Sequence, residues 1–509
     1  MNFRLSHIAK QKLGRRRFLQ NCGVALASYP LMNEGRGEEL VHLRYSFPSL
    51  SELPEVSFPE GKRVPFAWRA FAVPAPGGDQ HPVMKWEGLP LGRAARLRLT
   101  VAVDVREELE LEVRVAGTRQ KIGLFDIRFS PALHPFEVLL TAEQIGLVAK
   151  AGIELVMTKG SKALWLFQVD KDAAQNEVLQ PHLLFAENPD PIREFHNSLA
   201  SPASLQPYGW MEGCVLDGLF DLWQATGEKR YQEALSSHLG YFFDEKQELV
   251  YEGSRSQVRD GLVDGIESTL PNAVIAKLNP EHPVLQKTVG FWLRRQQAGG
   301  LIQDGDMTSA EGAYTVAYPL MVIGMKRRDQ ALIDKAIKQI RLRQRRLIHK
   351  GDCYLRYLAN GERSFRNWAR GVAWYSLGLV RTLDELNGSS EVPDLHEELN
   401  RLAEWVASYQ LENGLWSCFL DQEVAVDTSG SAGIAAALAI AVKKGLLPSK
   451  YSEVAQKTMT GLSSYLTPDG MLSGVAQSNR GGAALQQSDY RVISQMGMGL
   501  MAQLSAALH

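Results

Sequence analysis

Three residues within positions 367–380 have side chains suited to binding an acidic sugar. Trp368 and Trp374 lie six residues apart on either side of Arg370. An indole ring offers a broad apolar face on which a sugar ring can stack, and a guanidinium group can hold a carboxylate through two parallel hydrogen bonds. The same pattern would also arise if the arginine stem packed between two core tryptophans. The segment therefore predicts either a site for an acidic sugar or a packed helix start.

This segment opens one of a long series of predicted helices. After about residue 200, apolar residues recur every three or four positions, and glycine-rich loops separate the runs. Several helices follow each other as hairpin pairs, so a closed ring of six helix pairs fits the pattern, with a helical solenoid as the competing architecture. The eleven predicted helices span residues 215–226, 231–243, 272–278, 284–297, 314–325, 330–347, 369–386, 393–409, 432–444, 451–465 and 491–508.

The first part of the chain has the two-residue period of β-strands. Apolar side chains alternate in residues 97–105 and 109–115, and the charged segment 106–108 between them predicts the turn of a hairpin. Several short strands at regular spacing are typical of a β-sandwich of jelly-roll type. The further predicted strands span residues 136–140, 152–157, 163–169 and 182–185.

The N-terminus has the pattern of a twin-arginine export signal. Residues 15–19 read RRRFL, and a short, weakly apolar stretch with small residues follows at 23–27. A basic, disordered arm is the alternative interpretation. We expect residues 1–27 to be a signal and the mature protein to be periplasmic or extracellular.

The charge balance argues against a general nucleic-acid binder. The chain has 56 Lys and Arg against 57 Asp and Glu, and residues 1–27 hold six of the basic residues and no acidic one. Without that segment the formal charge would be about −7, which repels a polyanion. No apolar run reaches about 18 residues, so we expect no membrane-spanning helix.

Four segments from residue 205 to the end, in order and at similar spacing, resemble motifs of one enzyme group. They are WMEG with LDGL (residues 210–219), WARGVAW (368–374), QLENGLW (410–416) and VDTSGSA (426–432). The last three are similar to the WARGNGW, Q-x-x-x-GLW and ETSASA segments of the unsaturated glucuronyl and rhamnogalacturonyl hydrolases, glycoside hydrolase families 88 and 105. The resemblance implies an (α/α)6 barrel at residues 200–509, behind the β-sandwich predicted at residues 40–190.

The resemblance also implies a reaction. These enzymes remove an unsaturated uronate from an oligosaccharide: an aspartate donates a proton to the ring double bond, water adds to the neighbouring carbon, and the hemiketal opens. Neither a metal nor another cofactor is implied. Asp264 matches the first of two functional aspartates, and Glu311 stands where the family has the second. Alternatively, Asp264 caps a helix and Glu311 is a first-turn carboxylate on a helix dipole.

The predicted site combines these carboxylates with the aromatic and basic residues. Asp264 and Glu311 are the acid/base candidates, with Asp304 and Asp306 as other candidates for the second carboxylate. Arg356 occupies a position where the family has histidine, and Asp427 is expected to cap or brace the loop of Ser429. The predicted substrate-binding residues are Trp210, Arg356, Trp368, Arg370, Trp374 and Ser429.

The leading functional prediction is a glycoside hydrolase that removes a terminal uronic acid, unsaturated or saturated, from polysaccharide fragments. A saturated uronide would also need two carboxylates. One alternative is a polysaccharide lyase, for which Tyr314 is the candidate base. The other is a carbohydrate-binding protein without turnover.

Overall fold

Two antiparallel sheets form the first part of the structure. The computed structural model describes residues 42–168, 177–388 and 391–509, so the predicted signal at residues 1–27 lies outside the described residues. The strand orders are β1-β11-β5-β8 and β2-β4-β9-β6-β7, with β3 and β10 paired separately. The elements are β1 (His42–Ser46), β2 (Ser49–Ser51), β3 (Arg69–Val73), β4 (Val83–Lys85), β5 (Ala95–Thr100), β6 (Glu108–Val115), β7 (Lys121–Arg128), β8 (Pro135–Leu140), α1 (Ala142–Ala151), β9 (Ile153–Lys159), β10 (Leu164–Gln168) and β11 (His182–Glu187).

The predicted hairpin between residues 97–105 and 109–115 is wrong. Strand β5 pairs with β8 and β11, whereas β6 pairs with β7 and β9 in the other sheet. The chain crosses between the sheets because its amides find partners elsewhere: Val101 donates to His134 and Val105 to Ser130. Arg106, expected in the turn, instead bonds Asp104 and the carbonyl oxygen of Ser254 in the helical region. The four further predicted strands are confirmed, the third as far as Gln168.

Helices dominate the rest of the chain, and a helix is present at each of the eleven predicted positions. The predicted start at 314 is a π-helical turn over Ala313–Ala317. The predicted start at 491 is too early, because residues 491–492 form a short strand. The helices are α2 (Pro191–Leu199), α3 (Trp210–Thr226), α4 (Lys229–Tyr241), α5 (Pro271–Leu278), α6 (Pro283–Arg295), α7 (Tyr318–Arg327), α8 (Gln330–Leu347), α9 (Ala369–Leu386), α10 (Pro393–Ala407), α11 (Thr428–Lys443), α12 (Lys450–Ser463), α13 (Gly482–Gln487) and α14 (Gln495–Leu508).

Six of these helices contact one another in a closed cycle. The cycle runs α3, α5, α7, α9, α11, α14 and back to α3. A second helix packs against each member from outside: α4, α6, α8, α10 and α12 follow their partners in sequence, and α2 packs on α14. The inner helices α9 and α11 are buried on almost every side, as expected for helices surrounded by others. A solenoid would leave its first and last helices apart, so contact between α3 and α14 excludes that alternative.

Glycines let the first and last inner helices meet. A Cβ added to Gly499 would lie 2.5 Å from the backbone of Cys214, and one added to Gly218 would lie 2.6 Å from the carbonyl oxygen of Gly499. The two backbones are therefore closer than any larger residue allows. This contact closes the ring.

The sheets are fixed to the ring by a buried ion pair. Arg98 of β5 is 1% exposed and donates to Glu137 at 2.8 Å and to Asp469 of the helical region at 3.0 Å. A buried charge left without a partner costs several kcal/mol, so this contact holds the two regions together. Gln495 of α14 also donates to the carbonyl oxygen of Leu133, at 2.8 Å. No helix in the described ranges is long and apolar enough to cross a membrane.

Replacing Gly499 with alanine should destabilise the ring, because the new methyl group meets backbone atoms that cannot yield. Overpacking of this kind costs about 1–3 kcal/mol or more. Gly146→Ala is the matched control, since a Cβ there meets nothing within 4 Å on helix α1 and alanine favours a helix by up to about 1 kcal/mol. Thermal unfolding should show a lower Tm for Gly499→Ala only. Equal Tm values for the two variants would contradict the close contact.

Candidate active site

All the predicted site residues lie at one end of the ring. The first five inner helices are each followed by an outer helix that returns, and α14 follows the outer helix α12, so the six inner helices begin at the same end. The loops before them therefore meet at a common mouth, next to helix N-termini whose partial positive charge favours anions. Two of these loops contribute a small antiparallel sheet that the sequence analysis did not predict: β12 (Met307–Ser309), β13 (Ile348–His349), β14 (Asp352–Leu358) and β15 (Arg363–Arg366).

Glu311 lies directly after β12 and is partly buried. The amide of Ala310 donates to the carbonyl oxygen of Leu355 at 2.8 Å, which fixes this segment against β14. Beneath it, the fully buried guanidinium of Arg343 donates to the carbonyl oxygens of Ser309 and Ile302. A Cβ at position 312 would collide with that guanidinium, so a residue larger than Gly312 would displace Arg343 from its hydrogen bonds. The chain around Glu311 is thus held rigidly.

Glu267, which the sequence analysis missed, is the carboxylate that faces Glu311. It lies in the 3-10 turn Ile266–Thr269 before α5 and is partly buried. Asp304 accepts the amide of Ile266 at 2.8 Å and so fixes the start of this turn. The only sequence signal was a second carboxylate three residues after Asp264.

Burial and nearby carboxylates favour the protonated forms of this carboxyl pair. Burial raises the pKa of Glu267 to about 7, with further increases from the charges of Glu311 and Asp304, while Arg480 and Arg356 lower it. Burial also raises the pKa of Glu311, against the lowering effects of Arg356, Ser309 and Arg370. Near neutral pH the pair can therefore hold a proton to donate beside a carboxylate that accepts one.

Asp264 lies beside this pair rather than in it. Its side chain is 47% exposed and forms an ion pair with Arg259. The alternative that Asp264 caps a helix is wrong, because the turn begins after Gly265 and Asp304 accepts its first amide. Asp304 thus braces the Glu267 turn, and Asp306 is exposed. The structure favours Glu267 over these aspartates as the partner of Glu311.

Arg356 is placed to bind an anion, whereas Arg370 is already occupied. Arg356 lies on β14 with its guanidinium over the ring of Phe365, 5.3 Å from the centroid, and its buried Nε has no hydrogen-bond partner within the described residues. It acts on both Glu267 and Glu311. Arg370 is 3% exposed and donates from Nη1 and Nη2 to the carbonyl oxygens of Ala476 and Gln477, at 2.9 and 2.6 Å. The Arg370 guanidinium group, which was predicted to bind a substrate carboxylate, instead holds the loop of Ala476 and Gln477.

Only one of the three predicted stacking tryptophans has an accessible face. Trp368 and Trp374 are 2% and 3% exposed. Trp368 lies under Arg370 and donates to Gln486, and Trp374 packs between Trp210 and Tyr314. The packed-core alternative is thus the correct one for these two rings. Trp210 is partly exposed at the start of α3, where the preceding Gly209 lies against the Glu267 carbonyl.

Ser429 is fully buried and cannot contact substrate in this structure. Its amide and hydroxyl both donate to Oδ1 of Asp427, at 3.1 and 2.7 Å. Asp427 is the N-cap of α11 and also accepts the amide of Ala476 at 3.0 Å. The prediction that Asp427 caps and braces this loop is confirmed, and the predicted binding role of Ser429 is replaced by a structural one.

Tyr314 belongs to a buried polar network below the mouth. Its hydroxyl donates to Asp217, to which Tyr318 also donates at 3.0 Å. Burial and the charge of Asp217 raise the pKa of Tyr314 well above its ordinary value. A phenol that holds its proton this firmly is a poor general base. Among the described residues, no group of three or more His, Cys, Asp or Glu side chains could hold a metal ion.

Comparison with known proteins gives a family match over the helical region. The family model described as Glycosyl Hydrolase Family 88 matches residues 193–508, so the resemblance noted in the sequence is confirmed. Protein Atu3128 of Agrobacterium fabrum is 35% identical over 92 residues, which are 17% of this chain. The chain spans 40% of the length of the curated relatives that it matches.

Two solved structures share the fold of the helical region. A possible member of the GH105 family from Salmonella enterica serovar Paratyphi A aligns with a TM-score of 0.54 at 18% identity, over 62% of this chain and 92% of that one. A polysaccharide lyase aligns with a TM-score of 0.50 at 19% identity, over 62% and 95%. Because both alignments show fold alone, the chemistry has to be argued from the site residues.

The raised pKa of Glu267 predicts a pH-dependent stability. The folded protein binds this proton with a pKa of about 7, against 4.5 for an ordinary glutamate. Its protonation therefore stabilises the fold fully below about pH 4.5, and this contribution is lost as the pH rises through about 7. We expect the stability of wild type relative to Glu267→Gln to fall by about 1–2 kcal/mol over that range, after allowance for solvent screening.

Thermal melts between pH 4.5 and 8 check this expectation. Glu281→Gln, at an exposed carboxylate in the loop between α5 and α6 at the end of the ring opposite the mouth, serves as the control and should melt in parallel with wild type. A constant difference in Tm between wild type and Glu267→Gln would contradict the raised pKa.

Proposed function

Because the chain belongs to Glycosyl Hydrolase Family 88, we propose that it removes a terminal unsaturated uronic acid from acidic oligosaccharides. The observation that carries this proposal is the carboxyl pair Glu267 and Glu311 at the mouth of the ring. The charges of Arg356 act on both members of the pair. Acid/base groups beside a cation are what an enzyme needs to protonate and hydrate an anionic substrate.

The pair can supply both proton transfers of the reaction. The protonated carboxyl donates its proton to one carbon of the ring double bond, while the second carboxylate takes a proton from the attacking water. The water oxygen bonds to the other carbon, which carries the ring oxygen of the uronate. The hemiketal so formed opens at this ring oxygen and leaves a hemiacetal at the anomeric carbon, which breaks down to an aldehyde and releases the next sugar. The pair has lost one proton and gained one, so it ends as it began. We assign the direct donor role to Glu311, as the resemblance implies, and the water-activating role to Glu267.

The remaining polar groups bind and orient the substrate. The Nε of Arg356 has no hydrogen-bond partner within the described residues, so Arg356 would hold the carboxylate of the uronate beside the pair. Trp210 presents the accessible aromatic face next to Glu267. Arg370, Trp368 and Asp427 act from below by fixing the loops.

A lyase reaction is the weaker alternative, although a solved polysaccharide lyase shares the fold. A lyase must remove the proton next to the uronate carboxylate, and the candidate base Tyr314 is 1% exposed and bonded to Asp217. A saturated uronide remains a second hydrolase substrate, since two carboxylates also serve ordinary glycoside hydrolysis.

We also assign the helical region to the (α/α)6 barrel and the paired sheets to a β-sandwich. The closed cycle of six inner helices, each with an outer partner, supports the first assignment. Two antiparallel sheets that share a hydrophobic core support the second. The boundary between the two domains is proposed to lie between residues 190 and 200.

The function is tested by following the ultraviolet absorbance of the conjugated double bond in unsaturated uronyl oligosaccharides. Wild type should remove this absorbance. Glu311→Gln and Glu267→Gln should each lower kcat by about 100-fold or more, because acid/base groups contribute on that order. Asp264→Asn is the matched control at the exposed neighbouring carboxylate, and it should retain activity within about tenfold of wild type.

Other outcomes would assign the site differently. Full activity of the Glu267→Gln variant would reject Glu267 as the partner of Glu311. Loss of activity in the Asp264→Asn variant would reject it as well. A rise in absorbance on intact polysaccharide would identify a lyase, and cleavage of an aryl glucuronide alone would identify a saturated substrate. Sugar binding without turnover would indicate a carbohydrate-binding protein.

Export by the twin-arginine route is a separate proposal that rests on residues 15–19. A fusion of residues 1–40 to a reporter that folds before export should reach the periplasm of a bacterial host. Replacement of Arg15, Arg16 and Arg17 together by lysine should leave the reporter in the cytoplasm, because the export machinery recognises arginine pairs. Equal export of both fusions would contradict the signal.

A further inference from the structure

Three arginines from distant parts of the chain meet at the rim of the mouth. This arginine cluster consists of Arg106, between β5 and β6, Arg255, in the loop before α5, and Arg480, in the 3-10 turn Asn479–Gly481. Arg106 Nη2 and Arg480 Nη1 both donate to the carbonyl oxygen of Ser254, at 2.5 and 3.5 Å. Arg255 is the next residue and is exposed. The β-sandwich domain therefore reaches the rim of the site through Arg106.

The protein neutralises only part of this cluster. Asp104 pairs with Arg106 at 2.5 Å, and its other oxygen is taken by Lys62 at 2.7 Å. In the described ranges, neither Arg255 nor Arg480 forms an ion pair with a carboxylate. Burial and the charge of Arg106 lower the pKa of Arg480, the charges of Glu267 and Asp104 raise it, and the charge of Arg255 lowers it. Arg255 and Arg480 are exposed at the rim, and like charges held close together repel one another, so a bound anion would relieve this repulsion.

The cluster is also rigid and adjacent to the carboxyl pair. Arg370 holds the carbonyls of Ala476 and Gln477, and Gln486 donates to the carbonyl oxygens of Gln477 and Ser478, at 3.0 and 3.2 Å. The loop that carries Arg480 is fixed by these contacts. The charge of Arg480 acts directly on Glu267. An anion bound by the cluster would thus lie beside the reacting group, on the side of the β-sandwich.

We propose that the arginine cluster is a subsite for an anionic group, a carboxylate or a sulfate, on the sugar next to the cleaved uronate. This inference rests on the proposed function. Guanidinium groups match both oxyanions through paired hydrogen bonds. Arg255 and Arg480 supply the free donors, and Arg106 positions the Ser254 carbonyl between them. The enzyme would then select substrates with an acid on two successive sugars, and the β-sandwich would take part in specificity.

The test compares three unsaturated disaccharides that differ in the second sugar: neutral, sulfated, or a uronate. The measured quantity is the ratio of kcat/KM for each acidic disaccharide to that for the neutral one. We expect wild type to favour at least one acidic disaccharide by about tenfold or more, and each of Arg255→Gln and Arg480→Gln to lower that ratio by about tenfold, the effect of one charge-assisted hydrogen bond. Whichever acid carries the preference identifies the anion.

Arg345→Gln, the same substitution on the exposed face of the outer helix α8, should leave the ratio unchanged. Arg255→Lys should keep part of the preference, because it keeps the charge. A wild-type ratio near one, or a ratio unchanged in both cluster variants, would overturn the proposal.

Failure of the subsite can be told apart from failure of the proposed function. If wild type cleaves none of the disaccharides, calorimetric binding of the same three ligands replaces the kinetic ratio. Tighter binding of an acidic ligand by wild type, lost in Arg255→Gln and Arg480→Gln, would support the subsite alone. Equal affinity for neutral and acidic ligands would reject it.

Discussion

The close contact between α3 and α14 is the constraint on which the architecture depends. Gly218 and Gly499 let the two backbones meet, and this contact turns a row of helix pairs into a closed ring. Closure brings the loops before all six inner helices to one end. Residues that are far apart in the chain, such as Glu267, Arg356 and Arg480, become neighbours only because the ring is closed.

The chemistry at the mouth arises from a balance of burial and charge. Burial raises the pKa values of Glu267 and Glu311, the charge of Asp304 raises both further, and nearby arginines oppose the increase. Asp264, which is exposed and paired with Arg259, lies outside this environment. The desolvation of charges destabilises a fold elsewhere, but here it would tune the proposed acid/base pair, as is typical of active sites.

Much of the conspicuous motif around Trp368 is support for the site rather than part of its surface. Arg370 holds the backbone of a neighbouring loop, Trp368 lies beneath it, and Trp374 packs under Trp210. Aromatic and arginine side chains are well suited to this task because they combine a large apolar area with directional donors. The proposed binding groups, Arg356 and Trp210, lie in less distinctive sequence contexts.

Local pattern was enough to predict the β-to-α order of the chain, the positions of eleven helices, the family and the capping role of Asp427. These follow from periodicity, capping chemistry and motif residues, which are properties of neighbouring positions. The predicted hairpin was wrong because strand pairing depends on partners distant in sequence. Strand β5 pairs with β8, and β6 pairs with β9. Tertiary packing decided that Glu267, and not Asp264, is the proposed partner of Glu311. It also decided that Arg370 holds a neighbouring loop and is not free to bind a ligand. Burial and the direction of a side chain depend on every element around it, and no single stretch of sequence contains that information.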